Sequence, residues 1–200
     1  GEADKRASLC HAICAAEGWE GLPIHVGAHQ PLIIEQRQTQ AAQAEALSHY
    51  PHRSDWEADT AVDFLRRTIR ENPGEITLLT IGPLTNIGLL FALDREVPRL
   101  LKSLVMMVGD FRKGGGQGGK EWNSCGDPHA SAIAFAAAVP HAVCVGLNVT
   151  RQCTMPKGEV QERFKDPTLE IVRSMADFWG RDVITFHDPL AAALIFAPDI

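Results

Sequence analysis

The side chains best suited to chemistry are a histidine beside an aspartate, His187-Asp188, and a glutamate two residues before an asparagine, Glu121-Trp122-Asn123. Imidazole and carboxylate groups are the usual carriers of protons in general acid–base catalysis. A third candidate is main-chain. Ile81-Gly82 follows the apolar run ITLLT, and the carbonyl of Ile81 would lie free at a strand end. Each group also has a plainer reading. Asp188 precedes Pro189 and could be only a helix N-cap, as Asp127 is before Pro128. His187 could be a satisfied structural histidine, and Glu121 and Asn123 could be ordinary loop polars.

The elements that must position these groups alternate between strand and helix patterns. Apolar residues recur at helical spacing from Asp4 to Glu17, and Gly18 and Gly21 follow. LPIHV (22–26) reads as a short strand, while residues 34–53 have no clean period and include SHYPHR, a loop with His49 and His52. Glu57 to Glu71 predicts an amphipathic helix with Ala61, Phe64, Leu65, Thr68 and Ile69 on one face. ITLLT (76–80) is an apolar run of the kind buried on both faces of a parallel sheet, and SLVMMV (103–108) and HAVCVGL (141–147) read as further strands. Gly82-Pro83, Asp127-Pro128 and Asp188-Pro189 each predict a helix start, and 155–180 predicts helix broken near Asp166-Pro167. The order implies an α/β fold: a mostly parallel, Rossmann-like open central sheet flanked by helices, in one domain over residues 1–200. Ligands in such sheets sit at the carboxyl ends of the strands, which is where the candidates fall.

Composition narrows the function. The 200 residues are 45% hydrophobic and 22% charged, with mean hydropathy −0.08. No apolar run approaches the ~20 residues of a membrane span. A net charge of −6 argues against nucleic acid or an anionic membrane as partner. Five cysteines without framework spacing or a CxxC pair point to reduced thiols, hence an intracellular protein, and away from zinc. The glycine run Gly114 to Gly119 lacks the GxxxxGK[ST] order, because Lys120 is followed by Glu121. It is expected to be a lid or approach loop. No GxSxG elbow supports a serine hydrolase.

In order, the chain carries TIGPLTN, VMMVGDF, EWNSCGDPHAS, VGLNVT and FHDPLAAA. This combination resembles the nucleoside hydrolase family, of the inosine/uridine-preferring type, over roughly residues 22–200. The resemblance implies an N-ribohydrolase that cleaves the N-glycosidic bond of nucleosides with a Ca²⁺-activated water. It implies that Ile81 gives its carbonyl, and Asp188 its carboxylate, to the ion. His187 would be the acid that helps the base leave, while Met107, Glu121, Asn123 and Asp188 would bind the ribose. It also implies nucleoside salvage or catabolism in the cytoplasm, a small nucleoside or ribosyl compound as ligand, and association into homodimers or homotetramers.

The departures from the pattern matter equally. Trp122 stands where the family's EFN has phenylalanine, Asp110 replaces a glycine after VxM, and SHYPHRSDWEAD occupies the place of an HGxDGLG-type stretch. An asparagine of the loop before EFN falls near Gly115, where only Gln117 could substitute. The Asp-rich DxDxGxDD-type motif, which supplies ion ligands and the general base, is not in these residues. The chain is therefore expected to be an incomplete fold, truncated at both ends, and to bind calcium weakly and turn over poorly. The alternative is an inactive relative that binds a ribosyl ligand or serves a structural role.

Overall fold

A computed structural model describes residues 2–112, 120–178 and 180–200. The glycine run Gly114 to Gly119, with Gly115 and Gln117, lies outside the described residues. The chain opens with α1 (Ala3–Ala16), a 3-10 helix (Ala42–His49) and α2 (Ala61–Glu71). Strand β1 (Thr77–Thr80) leads to α3 (Thr85–Leu93) and α4 (Val97–Leu100), and β2 (Ser103–Met107) to α5 (Trp122–Gly126) and α6 (Pro128–Ala136). Then come β3 (Ala142–Val145), α7 (Leu147–Thr150), β4 (Thr154–Pro156), α8 (Lys157–Arg163), α9 (Pro167–Asp177), β5 (Val183–Thr185) and α10 (His187–Phe196). Strands β1, β2 and β3 form a parallel sheet in that order, with Thr80 opposite Met106 and Met107 opposite Val145. Strands β4 and β5 pair separately.

Two compact units result. The larger comprises residues 30–35, 62–154 and 185–200, and it holds the parallel sheet. Alternation along β2 decides which face each residue serves. Leu104, Met106 and Val108 join Leu84 (the N-cap of α3), Ile87, Leu90 and Phe91 of α3, and Ala130 and Ala134 of α6 in one cluster. Val105 and Met107 face the other way, against Val145 and Ala191 of α10. Both faces of the central strand β2 are covered, as a parallel sheet requires, while Ala142 and Val143 leave the start of β3 exposed. Each fully buried leucine here, such as Leu90 or Leu104, contributes roughly 1.5–3 kcal/mol. Gly88 of α3 lets α6 approach closely, since a Cβ there would lie 2.7 Å from Ala130.

The smaller unit, residues 1–29, 36–61 and 155–184, packs Leu9 and Ala12 of α1 against Leu47 of the 3-10 helix and Met175 of α9. Trp56 donates its indole N–H to Ser8 over 2.9 Å, and the Arg53 guanidinium sits 4.5 Å above its ring.

Three sequence expectations need correction. LPIHV is not a strand; none pairs with it among the described residues, and Val26 gives its carbonyl to the amide of Ala61. The helix expected from Glu57 starts only at Ala61, because Asp59 turns the backbone at φ 58°, which a right-handed helix cannot hold. Pro83 is not a first helical residue, since α3 begins two residues later. By contrast, Asp127 and Asp166 cap α6 and α9 as the Asp-Pro signal predicts, accepting from Ala130 and Thr168. Among the described residues no helix is long and apolar enough to cross a membrane.

Candidate active site

The polar candidates gather at the carboxyl end of the parallel sheet, within the larger unit. Strand β2 ends at Met107, and Gly109 then turns the chain with φ 85°. A side chain at Gly109 would be strained and would also meet the ring of Phe111 at 2.9 Å, so the turn belongs to glycine. The Gly109 carbonyl accepts from the amide of Leu147 at 2.8 Å, which fixes the start of α7.

Glu121 is buried and is the N-cap of α5. Its Oε1 accepts from the amide of Asn123 at 2.7 Å. Its Oε2 accepts from the amides of Ser124 at 2.8 Å and Gly109 at 3.1 Å, and from the Ser124 hydroxyl at 2.7 Å. Asn123, also buried, donates through Nδ2 to the Met107 carbonyl at 2.8 Å and approaches its sulfur at 3.4 Å. Met107, Glu121 and Asn123 thus form one hydrogen-bonded assembly, which the sequence spacing of sixteen residues does not advertise. Trp122, between the two polar residues, is exposed.

His187 and Asp188 are the first two residues of α10, whose N-cap is Phe186. Asp188 is therefore inside the helix and is not its cap, which corrects the plainer reading of that residue. Its carboxylate makes no hydrogen bond among the described residues. Burial, and then the negative charge of Glu121, push its pKa up to about 6. Its place in the first helical turn favours the charged form, but desolvation and a like charge win. His187 Nδ1 is 2.7 Å from the hydroxyl of Thr150, a fully buried residue. Burial lowers the imidazole pKa, the positive charge of Arg151 lowers it further, and Glu121 opposes them.

Ile81 leaves the sheet one residue after the last β1–β2 pair, so its carbonyl lies at the same edge. Its side chain is exposed. Met107, Glu121 and Asn123 are in direct contact, and His187 and Asp188 are close enough to feel the charge of Glu121. Sequence reading missed Thr150, Gly109 and Ser124. The stretch GLNVT held the only signal for Thr150, and nothing local says that its hydroxyl meets a histidine 37 residues on.

These residues do not by themselves fit a calcium ion. Among the described residues no group of three or more His, Cys, Asp or Glu could hold a metal. Glu121 commits both oxygens to four internal hydrogen bonds. One carboxylate and one carbonyl fall well short of the about six to eight oxygens that Ca²⁺ takes.

A parallel sheet flanked by helices, with the carboxylate of Glu121 and the amide of Asn123 after its strand β2, defines an open-sheet α/β protein, a class whose ligands sit at the carboxyl ends of the strands. Comparison with known proteins gives the family. The family model for inosine-uridine preferring nucleoside hydrolases matches residues 2–200, and the chain belongs to that family. A pyrimidine-specific ribonucleoside hydrolase, RihA, of Klebsiella pneumoniae is 33% identical over 153 residues, which are 70% of this chain and 49% of the relative. The chain thus spans about half the length of the curated relatives it matches. Among solved structures, the plant nucleoside hydrolase PpNRh1 superposes with a TM-score of 0.81 at 24% identity, covering 98% of this chain and 67% of that one. A purine-preferring ribonucleoside hydrolase from Gardnerella vaginalis gives 0.81 at 21% identity, covering 98% of this chain and 68% of that one. These likenesses establish the same fold.

Proposed function

We propose that the protein is a nucleoside N-ribohydrolase, in which this chain supplies the ribose-binding wall and the leaving-group acid. The observation that carries this reading is the assembly of Met107, Glu121 and Asn123 beside His187 and Asp188, in a member of this family. Cleavage of an N-glycosidic bond passes through an oxocarbenium-like state. The carboxylates of Glu121 and Asp188 oppose the positive charge that develops on the sugar. Asn123, held by Met107, and Asp188 position the ribose hydroxyls. His187 gives a proton or hydrogen bond to the departing base through Nε2, a contribution of roughly 10²–10⁴ in rate.

Calcium belongs to this reading only in part. Ile81 and Asp188 are two donors toward such an ion, and the chain alone binds it weakly because the remaining oxygens are not among the described residues. Salvage or catabolism of nucleosides in the cytoplasm, with association into homodimers or homotetramers, completes the proposal by family resemblance.

A second reading is favoured by the complete internal engagement of Glu121. On that reading the chain is a non-catalytic relative that holds a ribosyl ligand without cleaving it. Release of reducing sugar from inosine and uridine, with calcium added, distinguishes the two. Turnover that His187→Ala lowers about 100-fold or more supports the hydrolase. Saturable binding of a ribosyl analogue without sugar release supports the second reading.

A further inference from the structure

We propose that Thr150 is the positioning residue for His187: its hydroxyl donates to Nδ1 and so holds the ring in the form that carries its hydrogen on Nε2. The two atoms are 2.7 Å apart, and Thr150 is fully buried at the last residue of α7. A buried hydroxyl hydrogen needs an acceptor. The usual helical alternative is the carbonyl four residues back, here Gly146, which already accepts from the amides of Val149 and Thr150 at 3.0 and 3.1 Å. Among the described residues the Thr150 hydroxyl has Nδ1 as its one partner. If Nδ1 accepts, a neutral imidazole must carry its hydrogen on Nε2. No hydrogen bond occupies Nε2 among the described residues, so that hydrogen is available to a ligand.

The surrounding backbone makes this a rigid pairing. The Thr150 carbonyl accepts from the amide of Cys153 at 3.1 Å, and the Cys153 carbonyl accepts from Phe186, the residue before His187, at 2.8 Å. At its other end α7 is tied by Leu147 to the Gly109 carbonyl, and Gly109 in turn to Glu121. The β-branched side chain of Thr150 adds stiffness at χ1. Ring orientation and ribose wall therefore share one hydrogen-bonded frame. A serine could keep the bond; a valine has the shape of threonine without it.

The consequence for catalysis rests on the reading of His187 as the group that assists base departure, by a hydrogen bond from the neutral Nε2–H, so two measurements separate the ideas. Long-range ¹H–¹⁵N spectra of the full chain, with the His187 signal assigned by His187→Gln among the eight histidines, read the tautomer directly. The expected result is a single Nε2–H form, retained in Thr150→Ser and converted to a mixture in Thr150→Val. An Nδ1–H form in the unaltered protein, or a Thr150→Val spectrum unchanged at His187, overturns the assignment. In hydrolysis by the protein, Thr150→Val should lower kcat at least about tenfold on inosine. It should have much less effect on a nitrophenyl riboside, whose leaving group needs no proton, and Thr150→Ser should restore the rate. A changed tautomer with equal loss on both substrates upholds the hold of Thr150 on the ring and removes His187 from the acid role.

Discussion

The amide of Gly109 donates to Oε2 of Glu121 across 3.1 Å and so ties the end of β2 to the start of α5. One carboxylate thereby caps a helix, closes a glycine turn and contributes negative charge to the site. The same charge reaches Asp188 and His187 on α10.

Glu121→Gln keeps the size of the side chain but places an amide N–H₂ against donors. We expect a loss of about 1–3 kcal/mol in urea unfolding, the range for charge-assisted hydrogen bonds and a helix cap. Ribosyl-ligand affinity should fall with it. Unchanged stability would mean that the four bonds contribute nothing net.

Asp188 has a desolvated carboxylate without a hydrogen-bonded partner among the described residues. Its folded pKa of about 6 lies above the ordinary value of about 3.9. The group therefore adds stability below about pH 4 and withdraws it as pH rises through 6. In chelator-treated protein at pH 8, Asp188→Asn should raise stability by about 1 kcal/mol, a figure reduced for partial solvent screening. A destabilised variant would reveal a partner for the carboxylate.

Asp94 shows the opposite sign. Arg70 and then Arg66 hold its carboxyl well below the usual range, with bonds of 2.6, 2.8 and 2.9 Å. Its contribution is present above the unfolded value of about 3.9 and is lost as pH falls below it. Asp94→Asn should cost about 1–2 kcal/mol at pH 6, a modest figure because both arginines are partly exposed. The deficit should narrow when unfolding is measured between pH 4 and pH 3.

Gly88→Ala weighs two effects. Alanine favours a helix by about 1 kcal/mol, but its methyl would lie 2.7 Å from Cα and Cβ of Ala130 on α6. Overpacking of about 1–3 kcal/mol outweighs propensity where the neighbour is backbone. Thermal unfolding should move to lower temperature; an increase would mean that α3 and α6 can part without cost.

The sequence by itself determined the alternation of strand and helix, the three strands of the parallel sheet and the Asp-Pro caps at Asp127 and Asp166. Those signals are local, set by side-chain period and by the fixed φ of proline. They also carried the family, through motifs whose order survives in the chain. Tertiary structure alone decided the rest. Asp188-Pro189 looks like the other Asp-Pro pairs, yet the preceding backbone places Phe186 at the cap and leaves the Asp188 carboxylate inside the first turn. LPIHV has strand composition but no strand pairs with it among the described residues, and a strand exists only when another strand completes its ladder. Glu121 and Gly109 meet at the end of β2, and Thr150 and His187 meet because the amide of Phe186 is held by the Cys153 carbonyl just after α7. Hydrogen bonds between residues twelve or thirty-seven apart leave no periodic trace, so the wiring of the site belongs to the fold.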